Sequence, residues 1–325
     1  MNKNMKICVI GAGRWGQNHI RTLSNLGNLG GIVESHPTTL AEFGETYPEA
    51  QLFDNLNDAI KNGFDGYVLA TPAETHYPLG KQLIESGCHT LIEKPLALNH
   101  VEAEILVKLS TEYDVNLMVG HVLLFHPAIQ KIKELIDTAK IGKLQYIYSN
   151  RLNLGTVRLH ENVFWSFAPH DISIFNYFTD SLPENINSFG GAFIQEGNHD
   201  TTITYFEYPN NIKTHIFVSW LHPFKEHRII LIGSKGMISF EDSSENKEIL
   251  FYEKGIDWRD GIPVAKSGST EKIHYEPKMP LEEELKYFMN HLNSKIEIAN
   301  GECGLEVVKI LEKASESLTK DSLYV

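Results

Sequence analysis

The chain has 325 residues, of which 42% are hydrophobic and 22% charged, an ordinary composition for a globular protein with room for two domains. The net charge of −13 argues against a nucleic-acid partner, because nucleic-acid-binding surfaces are basic. The 3 cysteines form no CxxC pair, no apolar run has the length of a membrane span, and the first strand leaves no room for a signal peptide, so we expect a cytoplasmic protein without a membrane partner.

Short apolar runs alternate with helical segments through the first 121 residues. The predicted strands are 6–10, 30–33, 51–53, 67–70, 90–92 and 116–120. The predicted helices are 14–26, 38–47, 57–61, 77–86 and 99–113. This alternation predicts a doubly wound parallel sheet of the Rossmann type.

A glycine-rich motif follows the first predicted strand and opens the first helix. It consists of Gly11, Ala12, Gly13, Arg14, Trp15 and Gly16. In this pattern Gly11 permits a tight turn, Gly13 lets a pyrophosphate approach the backbone, and Gly16 lets the helix pack closely on the strand. The helix N-terminus supplies free N–H groups to the phosphates. The motif therefore predicts a bound dinucleotide.

Glu34 ends the second predicted strand, about 20 residues after the glycines, where a carboxylate accepts hydrogen bonds from the adenosine ribose. Such a carboxylate repels a 2′-phosphate, so NAD is favoured over NADP. Ser35 and His36 are potential phosphate contacts, which keeps NADP as the alternative.

Two further strand ends carry candidate site residues. Thr71, Pro72 and His76 follow the fourth strand, where a loop covers the nicotinamide side of a Rossmann sheet; alternatively they only shape a turn. Glu93 and Lys94 end the fifth strand, and Pro95 restrains the backbone after them. Open α/β sheets bind ligands at this edge, although a solvated strand end is the simpler interpretation.

The pattern changes after residue 121. The predicted helices are 127–138, 169–178, 281–293 and 305–318, and residues 242–280 are expected to be irregular. The predicted strands are 144–152, 186–193, 200–208, 213–220, 228–233 and 236–241. Short turns between the strands predict a largely antiparallel sheet. We expect a nucleotide-binding domain at 1-122 and a substrate-binding and oligomerisation domain at 123-325.

The chain resembles the glucose–fructose oxidoreductase and inositol dehydrogenase family along essentially its whole length. The resemblance is carried by the glycine motif, Ala70-Thr71-Pro72 with His76, Glu93-Lys94-Pro95, Ala168-Pro169-His170-Asp171, and the closing run with Glu284 and Phe288. It implies an NAD(P)-dependent sugar oxidoreductase, with no metal, that forms homodimers or homotetramers through the outer face of an open C-terminal sheet.

The resemblance also implies catalytic roles for Lys94 and His170. Lys94 would touch the reacting hydroxyl, and His170, titrating near neutrality, would be the proton acceptor. Family members often carry an aspartate four residues before this histidine, but this chain has Ser166. Serine supplies no charge to raise the basicity of His170. A helix N-terminal histidine that only caps or packs is the alternative for His170.

Residues 150–172 resemble the subgroup that acts on nucleotide-linked amino sugars, such as UDP-N-acetylglucosamine 3-dehydrogenase. The candidate substrate-binding residues, besides Lys94 and His170, are Arg151, Asn153, Arg158, Trp165 and Asp171. Arginine suits a diphosphate, but surface ion pairs are an equally simple use of Arg151 and Arg158. The alternatives are a free sugar or inositol dehydrogenase, a keto-sugar reductase, and a non-catalytic dinucleotide-binding sensor.

Overall fold

The computed structural model describes residues 5–159 and 161–321, which divide into two compact units. The first unit contains the chain through Phe125 together with Lys278–Lys309. The second contains His126–Pro277 and the residues from Ile310 onward. The division differs from the expected consecutive domains 1-122 and 123-325, because the chain returns to the first unit near its end.

Parallel strands and helices alternate through the first 120 residues. The elements are β1 (Ile7–Ile10), α1 (Arg14–Leu26), β2 (Leu29–Val33), α2 (Pro37–Thr46), β3 (Gln51–Phe53), α3 (Leu56–Asn62), β4 (Gly66–Leu69), α4 (His76–Glu85), β5 (Thr90–Glu93), α5 (His100–Glu112) and β6 (Leu117–Gly120). The strands form a six-stranded sheet in the order β3-β2-β1-β4-β5-β6. Every residue of β1, β4, β5 and β6 is buried, as expected for a parallel sheet covered on both faces. The strand order reverses between β1 and β4, so the loops that follow these strands diverge and leave room for a ligand.

Longer strands dominate the next part of the chain. The elements are α6 (Pro127–Asp137), β7 (Leu144–Leu152), α7 (Val163–Thr179), β8 (Asn185–Gly191), β9 (Thr201–Tyr208), β10 (Ile212–Ser219), β11 (Glu226–Gly233), β12 (Met237–Glu241), β13 (Ile249–Tyr252), β14 (Gly255–Arg259), β15 (Ile262–Lys266), β16 (Thr270–Ile273), α8 (Pro280–Asn290) and α9 (Gly301–Asp321). Eight strands form one sheet, in the order β16-β13-β12-β11-β7-β10-β9-β8, and β14 pairs separately with β15. Among the described strands of the large sheet, β7 and β10 run parallel and the other neighbours run antiparallel.

The large sheet has one buried face and one half-exposed face. Burial alternates along β9, β10 and β11, as expected when side chains point to opposite faces in turn. The helix α7 packs against β7, β9 and β10 and covers the buried face. The half-exposed face carries Phe189 and Ile203, which are register partners and are 52% and 44% exposed.

Two sequence predictions in this unit are wrong. Residues 242–280 are not irregular, since they contain β13 to β16. The helix expected at 169–178 begins at Val163 and carries Pro169 in its interior. The side chain of Asn162 accepts a hydrogen bond from the Trp165 N–H at 3.0 Å, and this N-cap, rather than the proline, sets the start of the helix.

No helix in the described part of the chain is long and apolar enough to cross a membrane.

Candidate active site

The loop between β1 and α1 is built so closely that glycine is required at two of its positions. Gly11 has a φ of +91°, and a Cβ there would lie 2.8 Å from Thr71 Cγ2. A Cβ on Gly16 would lie 1.9 Å from the Gly11 carbonyl oxygen. These contacts explain the motif physically, since a side chain at either position would push the loop away from the sheet.

The N-terminus of α1 is open toward the outside of this loop. Gly13 is the N-cap and no described side chain caps the helix there. A Cβ on Gly13 would meet no described atom within 4 Å. The first-turn N–H groups and the helix dipole therefore fit a dinucleotide pyrophosphate. Arg14 and Trp15 are the first two helical residues, and both are exposed.

Glu34 joins the glycine loop to the end of β2. One carboxylate oxygen accepts a hydrogen bond from the Ala12 N–H at 2.9 Å, and the other accepts one from the His36 N–H at 2.9 Å. The carboxylate is thus held beside the glycine loop, which is the position expected of a ribose ligand.

His76 lies inside the protein and connects two loops. Its Nδ1 is 2.7 Å from the Pro95 carbonyl oxygen and its Nε2 is 2.9 Å from the Thr71 carbonyl oxygen. Burial lowers the pKa of His76, although both carbonyl groups favour its protonated form. The structure gives His76 a bridging role between the loops after β4 and β5. Direct cofactor contact by Thr71, Pro72 and His76 stays a prediction.

Glu93 is the last residue of β5 and is buried next to Lys94. Its Oε1 lies 2.8 Å from Nε2 of the buried His19 on α1, and its Oε2 accepts a hydrogen bond from the Lys94 backbone N–H at 3.2 Å. Burial alone would raise the pKa of Glu93, but the hydrogen bond and charge of His19, with the charge of Lys94, lower it. Glu93 is therefore a buried anion that fixes the backbone at Lys94.

Two further buried groups, His121 and Glu284, interact electrostatically with Lys94 or Glu93. Neither of them was assigned a role in the site from the sequence. His121 directly follows β6 and is 1% exposed, while Glu284 on α8 is 0% exposed. Burial, and then the positive charge of Lys94, lower the pKa of His121 to about 4. Burial, and then the negative charge of Glu93, raise the pKa of Glu284 well above its usual range. The available signal was the position of His121 at a strand end, in line with Lys94.

In the second unit, α7 carries the other predicted catalytic residue. His170 lies in the middle of this helix, so it is not the helix N-terminal residue that the sequence suggested. Ser166 is on the same helix, one turn before His170, and residues four apart share a helix face. The departure at Ser166 therefore falls on the side of the helix that His170 occupies.

Asp171 points to the sheet and pairs with Arg151 of β7. The Arg151 Nε donates to one carboxylate oxygen at 2.7 Å, and its Nη2 donates to the other at 3.1 Å. Both residues are buried. His227 lies 3.4 Å from Arg151 Nη1, and burial followed by this charge lowers its pKa to about 3. The pair joins α7 to β7 of the sheet, and its two charges neutralise each other. Substrate contact by Arg151 or Asp171 stays a prediction.

The remaining predicted substrate residues lie between the end of β7 and the first turn of α7. Trp165 donates from its indole nitrogen to Ser315 Oγ at 2.9 Å. Arg158 is exposed and lies 3.6 Å from Glu161. The Asn153 backbone N–H donates to the Ser219 carbonyl oxygen at 3.1 Å. Among the described residues, these contacts do not join the three side chains to one another, and their substrate role stays a prediction.

Comparison with known protein families identifies both parts of the chain. Residues 5–121 match the model of the GFO_IDH_MocA oxidoreductase family, NAD-binding Rossmann fold. Residues 129–239 match the GFO/IDH/MocA C-terminal domain. The chain belongs to this family. It is therefore an NAD-binding sugar oxidoreductase that acts on CH–OH groups, as the resemblance implied.

Individual relatives share about a quarter of the residues. The UDP-N-acetylglucosamine 3-dehydrogenase of Acidithiobacillus ferrooxidans is 24% identical over 290 residues, 88% of each chain. The myo-inositol 2-dehydrogenase of Thermotoga maritima is 24% identical over 265 residues, 77% of this chain and 79% of the relative.

Solved structures agree in fold. The structure of the Acidithiobacillus ferrooxidans enzyme matches with a TM-score of 0.85 and 22% identity, over 97% of this chain and 98% of that one. An oxidoreductase from Agrobacterium radiobacter in complex with NAD+, L-tartaric acid and magnesium matches with a TM-score of 0.81 and 16% identity, over 98% and 97%. These matches confirm the predicted fold class of both parts of the chain.

Proposed function

We propose that this family member oxidises a ring hydroxyl, at C3, of a nucleotide-linked amino sugar such as UDP-N-acetylglucosamine. The observation that carries the reaction is the position of Lys94, at the carboxyl end of β5 beside the buried anion Glu93. The similarity to a UDP-N-acetylglucosamine 3-dehydrogenase over 88% of both chains supports the substrate.

When bound, NAD supplies the hydride acceptor. The glycine loop and the start of α1 hold its pyrophosphate, and Glu34 accepts hydrogen bonds from its ribose. Glu34 also makes NADP the poorer cofactor, because a 2′-phosphate beside a carboxylate is repelled.

Lys94 and His170 act on the hydroxyl group that is oxidised. Lys94 orients the alcohol and stabilises the negative charge that develops on its oxygen as the C–H bond breaks. His170 accepts the proton, as suits a side chain whose ordinary pKa is near neutrality. The oxidation thus releases one proton, which leaves through these side chains.

Mass spectrometry of the products tests the substrate. The protein is incubated with NAD, a carbonyl trap and, separately, UDP-N-acetylglucosamine, UDP-N-acetylglucosaminuronate, free hexoses or inositols. We expect a trapped keto product, two hydrogens lighter before trapping, from a nucleotide sugar. The position is assigned with a substrate that carries deuterium at C3. Oxidation at C3 transfers this deuterium to NADH. A product from inositol or a free hexose alone would contradict the proposal.

A free sugar or cyclitol dehydrogenase is the second candidate. The similarity to a myo-inositol 2-dehydrogenase favours it, with coverage of 77% of this chain. Ser166 favours a third candidate, a non-catalytic dinucleotide sensor, because the position lacks the charge that the family often has there. NAD binding without any product from the full panel would favour the sensor.

We also propose that the protein is a homo-oligomer through the half-exposed face of its large sheet. One row across this face contains Phe189, Ile203 and Phe217, which are register partners on β8, β9 and β10. A second row contains Tyr148 stacked on His215, with ring centroids 5.1 Å apart. An apolar sheet face of this kind is typical of protein–protein contacts.

A further inference from the structure

Lys94 and His121 leave neighbouring strands at the same level. Glu93 pairs with Gly120 in the parallel register of β5 and β6, and Lys94 and His121 are the residues that follow them. Neighbouring strands lie about 4.8 Å apart. The topology therefore places His121 next to Lys94 at the carboxyl edge of the sheet, and the positive charge of Lys94 acts on the His121 ring.

The His121 ring is a buried and uncharged polar group. Neither ring nitrogen has a hydrogen-bond partner among the residues that the structure describes. A neutral imidazole carries one N–H donor and one lone pair. Leaving such atoms unpaired in the interior destabilises the folded protein, a loss that an apolar side chain of similar size would avoid. We therefore expect the His121 ring to take part in an interaction that an apolar side chain could not make.

The other titratable groups around this ring come from three elements. Glu93 on β5 acts electrostatically on His121 and holds the Lys94 backbone. His19 on α1 is paired with Glu93, and burial followed by the negative charge of Glu93 raises the pKa of Glu284 on α8. Glu93 therefore carries negative charge in this group of residues, and the uncharged His121 ring offers a lone pair beside Lys94.

We propose that His121 is a positioning residue for Lys94: its uncharged ring is the acceptor to which the ammonium group turns during the reaction, and it thereby sets the pH range in which this amine exchanges its proton. The inference rests on the proposed catalytic role of Lys94. It deepens that role by adding a residue that acts through Lys94 rather than on the substrate.

The test measures Lys94 directly. Acetic anhydride acetylates only the deprotonated form of a lysine amine. Peptide mass spectrometry follows the labelling of Lys94 as a function of pH. The exposed Lys108 of the same chain is the internal reference. The wild type is compared with His121→Leu, which removes the lone pair, and His121→Gln, which keeps an uncharged acceptor. His121→Met replaces the leucine variant if that variant does not fold, as judged by NAD binding and thermal unfolding.

We expect the apolar variant to lower the midpoint of Lys94 labelling by about one pH unit, and the glutamine variant to restore it to within a few tenths of a unit. The Lys108 midpoint should not move. An unchanged Lys94 midpoint in the apolar variant, or equal shifts in both variants, would overturn the inference. If the Lys94 midpoint shifts as expected in the variants but the wild type oxidises no sugar, the proposed function is contradicted instead.

Discussion

Glu93 keeps its negative charge although it is buried, because His19 and the Lys94 backbone donate hydrogen bonds to its two oxygens. Glu284 has no hydrogen-bond partner in the described residues, and burial followed by the charge of Glu93 raises its pKa. The pKa values of two buried carboxyl groups thus shift in opposite directions because their hydrogen bonds differ. The hydrogen bonds of individual side chains therefore set the charge distribution around Lys94.

Lys94→Ala should slow hydride transfer, lowering kcat by about 10²- to 10⁴-fold, because a group that stabilises the developing charge is removed. NAD affinity should change little. The control is Lys108→Ala, on an exposed face of α5. Stopped-flow absorbance of NADH formation measures the rate, and full activity in Lys94→Ala would contradict the proposed mechanism.

Glu34→Ala should narrow the preference for NAD over NADP. The substitution removes both the ribose acceptor and the charge that repels a 2′-phosphate, each worth about 1–3 kcal/mol. Titration calorimetry with both cofactors gives the affinity ratio. The matched control is Glu42→Ala, an exposed acid on α2. A ratio unchanged from the wild type would refute the assignment of Glu34.

Glu284→Gln should stabilise the protein, increasingly so as pH rises above about 4.3, the ordinary pKa of glutamate. The folded-state pKa of Glu284 lies above that value. The wild type therefore loses stability, by up to about 1.4 kcal/mol per pH unit, until the pH reaches the folded-state pKa. Glutamine, uncharged at every pH, escapes this loss.

Melting temperatures of wild type and Glu284→Gln between pH 4 and pH 8 measure the effect. Glu283→Gln on the same helix is the control, since Glu283 pairs with Lys286 at 3.0 Å near the surface. A difference between wild type and Glu284→Gln that does not vary with pH would show that Glu284 is ionised in the folded protein.

At the scale of elements, α7 is tied to the large sheet by the Arg151–Asp171 pair. The pair is bidentate and buried, so its two charges depend on each other for the solvation they lost on folding. The pair adds to the packing of α7 on β7, β9 and β10, in a helix where Pro169 lacks a backbone donor.

Asp171→Ala should destabilise the protein by about 3–5 kcal/mol, because it leaves the Arg151 guanidinium buried without a counter-charge. The double variant Arg151→Met with Asp171→Leu should recover most of the loss. As a control, Glu161→Ala removes the exposed pair with Arg158 and should cost less than about 1 kcal/mol. Urea unfolding gives the values, and equal losses in Asp171→Ala and the double variant would disprove the charge argument.

At the scale of the whole molecule, the half-exposed face of the large sheet is the surface we assign to self-association. Ile203→Arg should shift the protein toward the monomer, because an arginine in an apolar interface loses its solvation without a partner. Sedimentation equilibrium measures the mass. Leu98→Arg, at another apolar residue that is 46% exposed, is the control. A mass unaffected by Ile203→Arg would exclude this face as the interface.

Local patterns in the sequence determined the Rossmann sheet, the nucleotide loop and Lys94 at a strand end. These features depend on short-range rules: buried runs form parallel strands, and Gly11 and Gly16 are required by steric contacts that recur wherever this turn occurs. The family and the class of reaction were implied by the resemblance that these residues carry.

Only the tertiary structure decided how distant residues share charges and hydrogen bonds. Arg151 pairs with Asp171 across 20 positions, and the closing helix α8 brings Glu284 into the first unit, although neither relation has a local pattern. Strands β13 to β16 form from a polar segment because neighbouring strands complete their backbone hydrogen bonds. Burial, which sets the pKa of His121 and Glu284, is likewise a property of the packed chain rather than of any segment.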